Sequence, residues 1–239
     1  MVKTDGWKSK ESAKHYLTFA DILIPYRNEV LEIISALATD RYRPGSKVLD
    51  LGCGNGELSN RILEKNNEIQ VVMIDYSETM IKKCKERFPG NKDITIICHD
   101  LNDGMPNSVS EQRFSVVVSC FALHHIAPDK RVTLYNDTCK VLLDEGIFVN
   151  GDRFIEETPQ ISDWTFNRWM SWVVQSIRQN LSQEKSFEEA KNKQLDLDEK
   201  QGDMPGTIWQ MRNDLKQAGF AYIDVLWKTH VIGIIAASK

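Results

Sequence analysis

Between Lys47 and Glu57 the chain passes from a short apolar segment into three glycines at alternate positions, and no other stretch narrows the choice of fold so far. Val48 to Leu51 suits a strand buried on both faces. Gly52, Gly54 and Gly56 then interrupt it, and Leu58 to Glu64 has the spacing of an amphipathic helix. Strand, glycine turn and helix open a nucleotide-binding βαβ unit. Gly52 permits a sharp turn, while Gly54 and Gly56 remove Cβ atoms where a ligand or the helix must approach the backbone. The dinucleotide fingerprint is G-x-G-x-x-G. Here the glycines run G-x-G-x-G, with Asp50 before them and Glu57 straight after. Two carboxylates beside the loop suit a cationic or amine-bearing ligand better than a phosphate.

A length of 239 residues fits one α/β domain with an embedded cap, and a hydrophobic fraction of 41% can fill its core. The net charge of −4 carries no basic footprint, so nucleic acid is not the expected partner. The five cysteines show no C-x-x-C pairing and read as small buried hydrophobes in a reducing compartment, with no metal expected. Met1 to Ser12 is polar, without the look of a signal peptide, and no apolar run approaches the ~20 residues needed to span a bilayer. A cytoplasmic protein without membrane association follows as the expectation.

Two helices precede the first strand. Glu11 to Ile24 places Tyr16, Phe19, Ala20 and Leu23 on one face, and Asn28 to Leu37 repeats the pattern after the break at Pro25. Tyr26 and Arg27 lie between them; they are either surface or helix-packing groups or sit at a ligand mouth, where Arg27 would meet a carboxylate. The second strand, Gln70 to Ile74, ends in Asp75-Tyr76-Ser77. Asp75 follows Gly56 by 19 positions, close to the ~20 at which a carboxylate accepts ribose hydroxyls. Tyr76 beside it is placed to stack on a base. Ile94 to Cys98 and Phe114 to Ser119 are the third and fourth strands, followed by His99-Asp100-Leu101 and by Cys120-Phe121-Ala122-Leu123-His124-His125-Ile126. Asp129 to Leu143 is a helix and Gly146 to Gly151 the fifth strand. The next strand-like run starts only near Ala221, and so long a connection carries its own structure. Within it, Phe166, Trp169, Met170, Val173, Val174, Ile177 and Leu181 form a helical packing stripe, with Trp164 and Trp172 off it. Those two tryptophans are candidates for an acceptor pocket or a subunit contact. Gln183 to Lys200 reads as a solvated helix or mobile flap.

Taken together, the glycine loop, Asp75, Asp100 and the apolar fourth strand resemble the class I S-adenosylmethionine (SAM) dependent methyltransferases from about Pro44 to Lys239. The resemblance implies a Rossmann-like, doubly wound sheet of seven strands, mostly parallel with an antiparallel last strand, plus a helical cap. It implies a single domain over 1–239, with cap helices in 1–43 and a helical insertion in 152–203 forming a lid on the acceptor site. Its cofactor would be SAM, held by Asp50, Gly52, Cys53, Gly54, Gly56, Asp75, Tyr76, Asp100, Leu101 and Ser119, with Tyr26 and Arg27 at the mouth. Asp100 would accept the adenine amino group, and the Leu101 backbone N–H would meet a ring nitrogen. Cys120 to Ile126 would line the methyl group and the acceptor, which makes His125, and after it His124, the candidate base. Equally, a histidine there can shape the pocket. Trp164 and Trp172 would touch a small, partly apolar acceptor, and the protein would be a monomer or homodimer.

Within the class the chain is also similar to the carboxy-SAM synthase subgroup of tRNA wobble-uridine modification, through the Ile24-Pro25 break and the closing Ala218-Gly219-Phe220. The subgroup's loop is less glycine-rich, and its cap arginine has no clear match in Asn192 to Gln201, so SAM itself is the expected donor. A protein that binds SAM without turnover is the alternative from another class. An NAD-dependent oxidoreductase is disfavoured by the glycine spacing.

Overall fold

The computed structural model describes residues 6–239. Residues 1–5, part of the expected 1–43 cap and of the polar N-terminus read as carrying no signal peptide, lie outside the described residues. Seven strands form one sheet: β1 (Lys47–Leu51), β2 (Gln70–Asp75), β3 (Ile94–Cys98), β4 (Phe114–Cys120), β5 (Leu142–Arg153), β6 (Tyr222–Thr229) and β7 (Ile232–Ser238). Their order is β3-β2-β1-β4-β5-β7-β6. Along that order the strands from β3 to β5 are parallel to one another, and β7 runs antiparallel to both β5 and β6. The chain winds outward from β1 to β3, then returns to place β4 on the other side of β1. The strand order therefore reverses between β1 and β4, and the crevice beyond their C-terminal ends is where such sheets bind ligands.

The helices are α1 (Lys10–Leu23), α2 (Arg27–Arg41), α3 (Glu57–Lys65), α4 (Glu78–Arg87), α5 (Asn107–Ser110), α6 (Pro128–Val141), α7 (Pro159–Leu181), α8 (Phe187–Gln201) and α9 (Ile208–Gln217). Side chains alternate across the sheet. Val48, Val116 and Val118 join Val30 and Ile34 of α2, Ile62 of α3 and Trp169, Met170 and Val173 of α7 in one core layer. Leu49, Leu51 and Val117 join Leu134 of α6 and Met211 and Leu215 of α9 in the other. The α7 stripe is thus a packing face, as its periodicity predicts.

One boundary differs markedly from expectation. β5 starts at Leu142 rather than Gly146, because its pairing with β4 slips between Phe114 and Val116. Glu145 adopts φ 58° at that slip, and a Cβ on Gly146 would lie 2.8 Å from the Leu143 carbonyl oxygen. Period-2 reading sees only the regular part beyond such a bulge. The charge-rich segment after α7 is an ordered helix, α8, opened by a capping box between Ser186 and Glu189. No described helix is long and apolar enough to cross a membrane. None of the five cysteines is in a disulfide.

Candidate active site

The glycine loop leaves β1 by turning across the end of β2: the Gly52 and Cys53 N–H groups both donate to the Ile74 carbonyl, at 2.8 and 2.9 Å. Gly52 has φ +71°, and a Cβ there would lie 2.3 Å from the Ala122 Cβ. The loop is therefore pressed against the turn that follows β4. Gly54 has φ +55° and open space around its Cβ position. Room for a close approach is left at Gly54. Gly56 serves helix packing instead, since a Cβ there would meet the Phe88 ring at 2.7 Å and the Cys84 sulfur at 2.9 Å.

A cavity of about 310 Å³ opens beyond the loop, within the usual size range of small-molecule sites. Of the candidate residues, Asp50, Gly52, Cys53, Gly54, Arg27, Asp75, Tyr76, Asp100, Leu101 and His125 line it. Asp75 spans the loop: its Oδ2 accepts from the Gly54 N–H and its Oδ1 from the Ser77 N–H, each at 2.8 Å. Burial pushes its carboxyl above the usual range, against the pull of those backbone donors. Asp100 accepts from the Asn102 N–H at 2.9 Å. Asp50 is buried and accepts from the Ser59 hydroxyl at 2.6 Å. Burial raises its pKa to about 7, Ser59 pulling down and Asp75 adding to the rise.

Arg27 is buried, with Nη1 on Asp21 and Nη2 on Glu57, both at 2.6 Å, and its guanidinium over the Tyr16 ring. Its Nε has no hydrogen-bond partner. Burial pushes Glu57 up, but Arg27 and Arg61 more than offset this and hold it below the usual range.

Four expectations are corrected. Tyr26 adopts φ 56° between α1 and α2, which turns it outward; it is exposed and packs edge-on against Trp227 rather than at the cavity mouth. Ser119 is fully buried and donates to the Leu51 carbonyl at 2.7 Å, tying β4 to β1 instead of meeting a cofactor. Trp164 is exposed and faces His230, while Trp172 packs half-buried on the α2 side of the core. Neither tryptophan lines the larger cavity or its neighbour.

That neighbour is a smaller cavity of about 90 Å³, and Trp7, Tyr16, Phe121, His125 and Gln201 line both. Trp7 lies in a 3-10 turn, Gly6–Lys8, that caps the crevice. Its carbonyl accepts from the Ser77 hydroxyl at 2.7 Å, its N–H donates to the Tyr76 hydroxyl at 3.3 Å, and its indole N–H donates to His125 Nε2 at 3.0 Å. A Cβ on Gly6 would meet backbone of Lys200 and Gln201 at 2.6 Å, so the turn sits directly on the end of α8.

The two histidines differ. Of the two cavities His124 lines the smaller and not the larger, with Nδ1 2.5 Å from Asp152 Oδ1. Burial lowers its pKa, but the Asp152 charge and hydrogen bond outweigh burial and leave it raised. In turn Asp152, pushed up by burial, is pulled below the usual range by His124. His125 Nδ1 stands 3.1 Å from Asp203 Oδ1, and burial followed by the neighbouring His124 lowers its pKa. Arg153 holds Asp198 at 2.6 Å and Asp203 at 2.9 Å. Trp7, Tyr16, Asp152, Arg153 and Asp203 are site residues that sequence reasoning missed. Tyr16 was legible only as part of a packing stripe, and the others carry no local motif.

Residues 48–146 match the family described as Methyltransferase domain. Among curated proteins the chain is 23% identical over 226 residues to the carboxy-S-adenosyl-L-methionine synthase of Shewanella piezotolerans, covering 90% of this chain and 85% of the relative. It is 28% identical over 146 residues to the protein of the same name from Shigella boydii, covering 60% of this chain and 58% of the relative. Among solved structures it resembles an O-methyltransferase family protein from Burkholderia thailandensis, with TM-score 0.65 and 14% identity over 98% of this chain and 61% of that one. It also resembles human N-acetylserotonin methyltransferase in complex with SAM, with TM-score 0.54 and 14% identity over 97% and 59%. The chain spans about three fifths of the length of these two structures.

Proposed function

We propose, from the premise that this chain carries a class I SAM-dependent methyltransferase domain, that it transfers the methyl group of SAM to a small, partly apolar acceptor in the second cavity. The observation that carries this reading is the shared wall. Trp7, Tyr16, Phe121 and His125 border both cavities, so donor and acceptor would meet across them. The residues present suit SAM. Gly54 leaves its Cβ position open, Asp75 and Asp100 offer carboxylates along one side, and Arg27 Nε is a buried donor without a partner. Bound SAM would supply a methyl carbon made electrophilic by its sulfonium charge. The chain's own part is alignment and exclusion of water, which account for much of the rate in such a transfer. Asp75 would take the ribose hydroxyls, and Asp50 and Glu57 would place negative charge near the cationic end. We assign the acceptor-facing role to His125, because His124 does not line the cofactor cavity and is committed to Asp152.

Calorimetry is expected to show binding of SAM and S-adenosylhomocysteine and none of NAD. NAD binding without SAM binding would overturn the reading. A metabolite screen for S-adenosylhomocysteine release then identifies the acceptor. The names of the curated relatives favour a second reading, production of carboxy-SAM. A transferred carboxylate needs a cation, and Arg27, the arginine lining the cofactor cavity, is already paired with two acids. Mass spectrometry of the released nucleoside separates the two readings.

Asp50 adds a pH dependence. Its folded pKa of about 7 means that it is ionised above that pH and neutral below. The sulfonium charge of SAM is permanent, so SAM affinity should rise as pH increases through about 7, and Asp50→Asn should flatten the profile. An unchanged slope in that variant would show that Asp50 does not face the cationic ligand. The cap is tested separately. Hydrogen exchange in Gly6–Lys8 and across α7 and α8 should slow when SAM binds, if these elements form a lid. Equal protection with and without SAM would count against it.

A further inference from the structure

We propose that His124, His125 and Asp203 form a binding site for one late first-row divalent cation of the zinc type. One ligand atom from each of the three residues can be chosen so that all lie within 4.8 Å of one another. His124 Nε2 stands 3.7 Å from Asp203 Oδ2, and His125 Nδ1 stands 3.1 Å from Asp203 Oδ1. Two ligands bound to one tetrahedral zinc at ~2.0–2.1 Å stand roughly 3.3–3.4 Å apart. The separation of His125 Nδ1 from Asp203 Oδ1, the pair that would share the ion, lies close to that value.

Independent features point the same way. His125 Nδ1 and Asp203 Oδ1 are buried and lack an aligned hydrogen-bond partner, although they face each other. The Asp203 side chain is only 6% exposed and that of His124 9%. A buried imidazole and carboxylate left in this way call for a further ligand. Behind them, Asp152 Oδ1 holds His124 Nδ1 at 2.5 Å and leaves Nε2 directed towards Asp203. A carboxylate on the far nitrogen is the usual support of a metal-bound histidine. Charge agrees as well. Asp198 and Asp203 face a single guanidinium, Arg153, while Asp152 faces His124, so two negative charges are in excess when both imidazoles are neutral. Arg153 Nη1 takes Asp203 Oδ2 at 2.9 Å and leaves Oδ1 for the cation. Two imidazoles with one carboxylate select zinc, cobalt, nickel or ferrous iron over magnesium or calcium. A three-ligand site keeps a position open, here beside the smaller cavity.

One contact must change. Trp7 donates to His125 Nε2, yet a neutral histidine bound through Nδ1 carries its proton on Nε2. Metal binding therefore turns the indole away and loosens the turn at Gly6–Lys8.

The test uses the full chain, stripped with a chelator and titrated with cobalt(II) alone, without SAM. The expected result is one cobalt per chain, visible d–d bands of a low-coordinate ion, displacement by zinc, and faster hydrogen exchange at Gly6–Lys8. Asp203→Asn and His124→Ala should abolish the bands, and Asp152→Asn should weaken cobalt binding by about 10–100-fold. Melting curves without metal establish that each variant is folded. Absence of the bands in the unmutated protein, or bands undiminished in folded Asp203→Asn, would overturn the proposal. X-ray absorption of the zinc-loaded unmutated protein gives a reading that needs no variant: imidazole scattering supports the site, and a shell of oxygen or sulfur alone refutes it. Cobalt binding is read without donor or acceptor, so its outcome is independent of the methyl-transfer assignment.

Discussion

Asp75→Ala should weaken SAM binding by about 100-fold or more. In the proposed complex the carboxylate accepts two ribose hydroxyls, and each hydrogen bond to a charged group is worth about 1.5–3 kcal/mol. At ~1.4 kcal/mol per tenfold, even the lower figure for two such bonds exceeds 100-fold. The structure adds a second loss. Asp75 already accepts from Gly54 and Ser77, so its removal frees both the tip of the glycine loop and the start of α4. Asp75→Asn separates these contributions, because an amide oxygen can still accept from one of the two backbone groups. Calorimetry on the folded variants should therefore rank Asp75→Ala below Asp75→Asn and both below the parent. Unchanged affinity in Asp75→Ala would reduce Asp75 to a loop residue.

Gly52→Ala and Gly54→Ala should fail in different ways. Both glycines lie at positive φ, where an alanine costs roughly 1–2 kcal/mol. At Gly52 the new methyl also falls 2.3 Å from the Ala122 Cβ, and the turn after β4 must move. Overpacking of this kind costs about 1–3 kcal/mol more. Gly52→Ala should thus lose roughly 2–5 kcal/mol of stability, seen as an earlier denaturant midpoint even without ligand. Gly54→Ala meets no atom within 4 Å, so its fold should survive while the methyl enters the cofactor cavity. Its signature is the backbone cost alone, roughly 1–2 kcal/mol, with weakened SAM binding. Equal destabilisation of the two variants would contradict the close packing at Gly52.

The parts of the site legible in the sequence are those written in contiguous residues. Gly52, Gly54, Asp75 and Asp100 each sit where a strand ends, and the strand-turn-helix grammar places strand ends well. Their helices and strands follow from periodicity, which reports what is buried. Periodicity says less about what an off-stripe residue touches. Trp164 and Trp172 are off the α7 stripe, one reaching solvent and the other the edge of the core. Tyr26 and Arg27 are adjacent, yet the left-handed turn at Tyr26 sends one outward and the other inward. The pairing of Trp7 with His125 spans 118 positions, and that of Arg153 with Asp203 spans 50. Neither has a spacing rule, because tertiary packing alone brings the partners together.

The crevice is assembled from chain segments of very different separation. Its floor uses β1, β2, β3 and β4 with their connections, so every wall residue from Asp50 to Ile126 lies within one continuous span. Its roof joins Gly6 and Trp7 to Gln201 and Asp203. Contacts of such long range close late, since the intervening chain must first give up its freedom. Floor and roof therefore differ in how they can come apart: opening the contact between the two distant segments would expose the crevice to water while the sheet beneath it stays paired, and a ligand bound there would be held without the shielding that transfer requires.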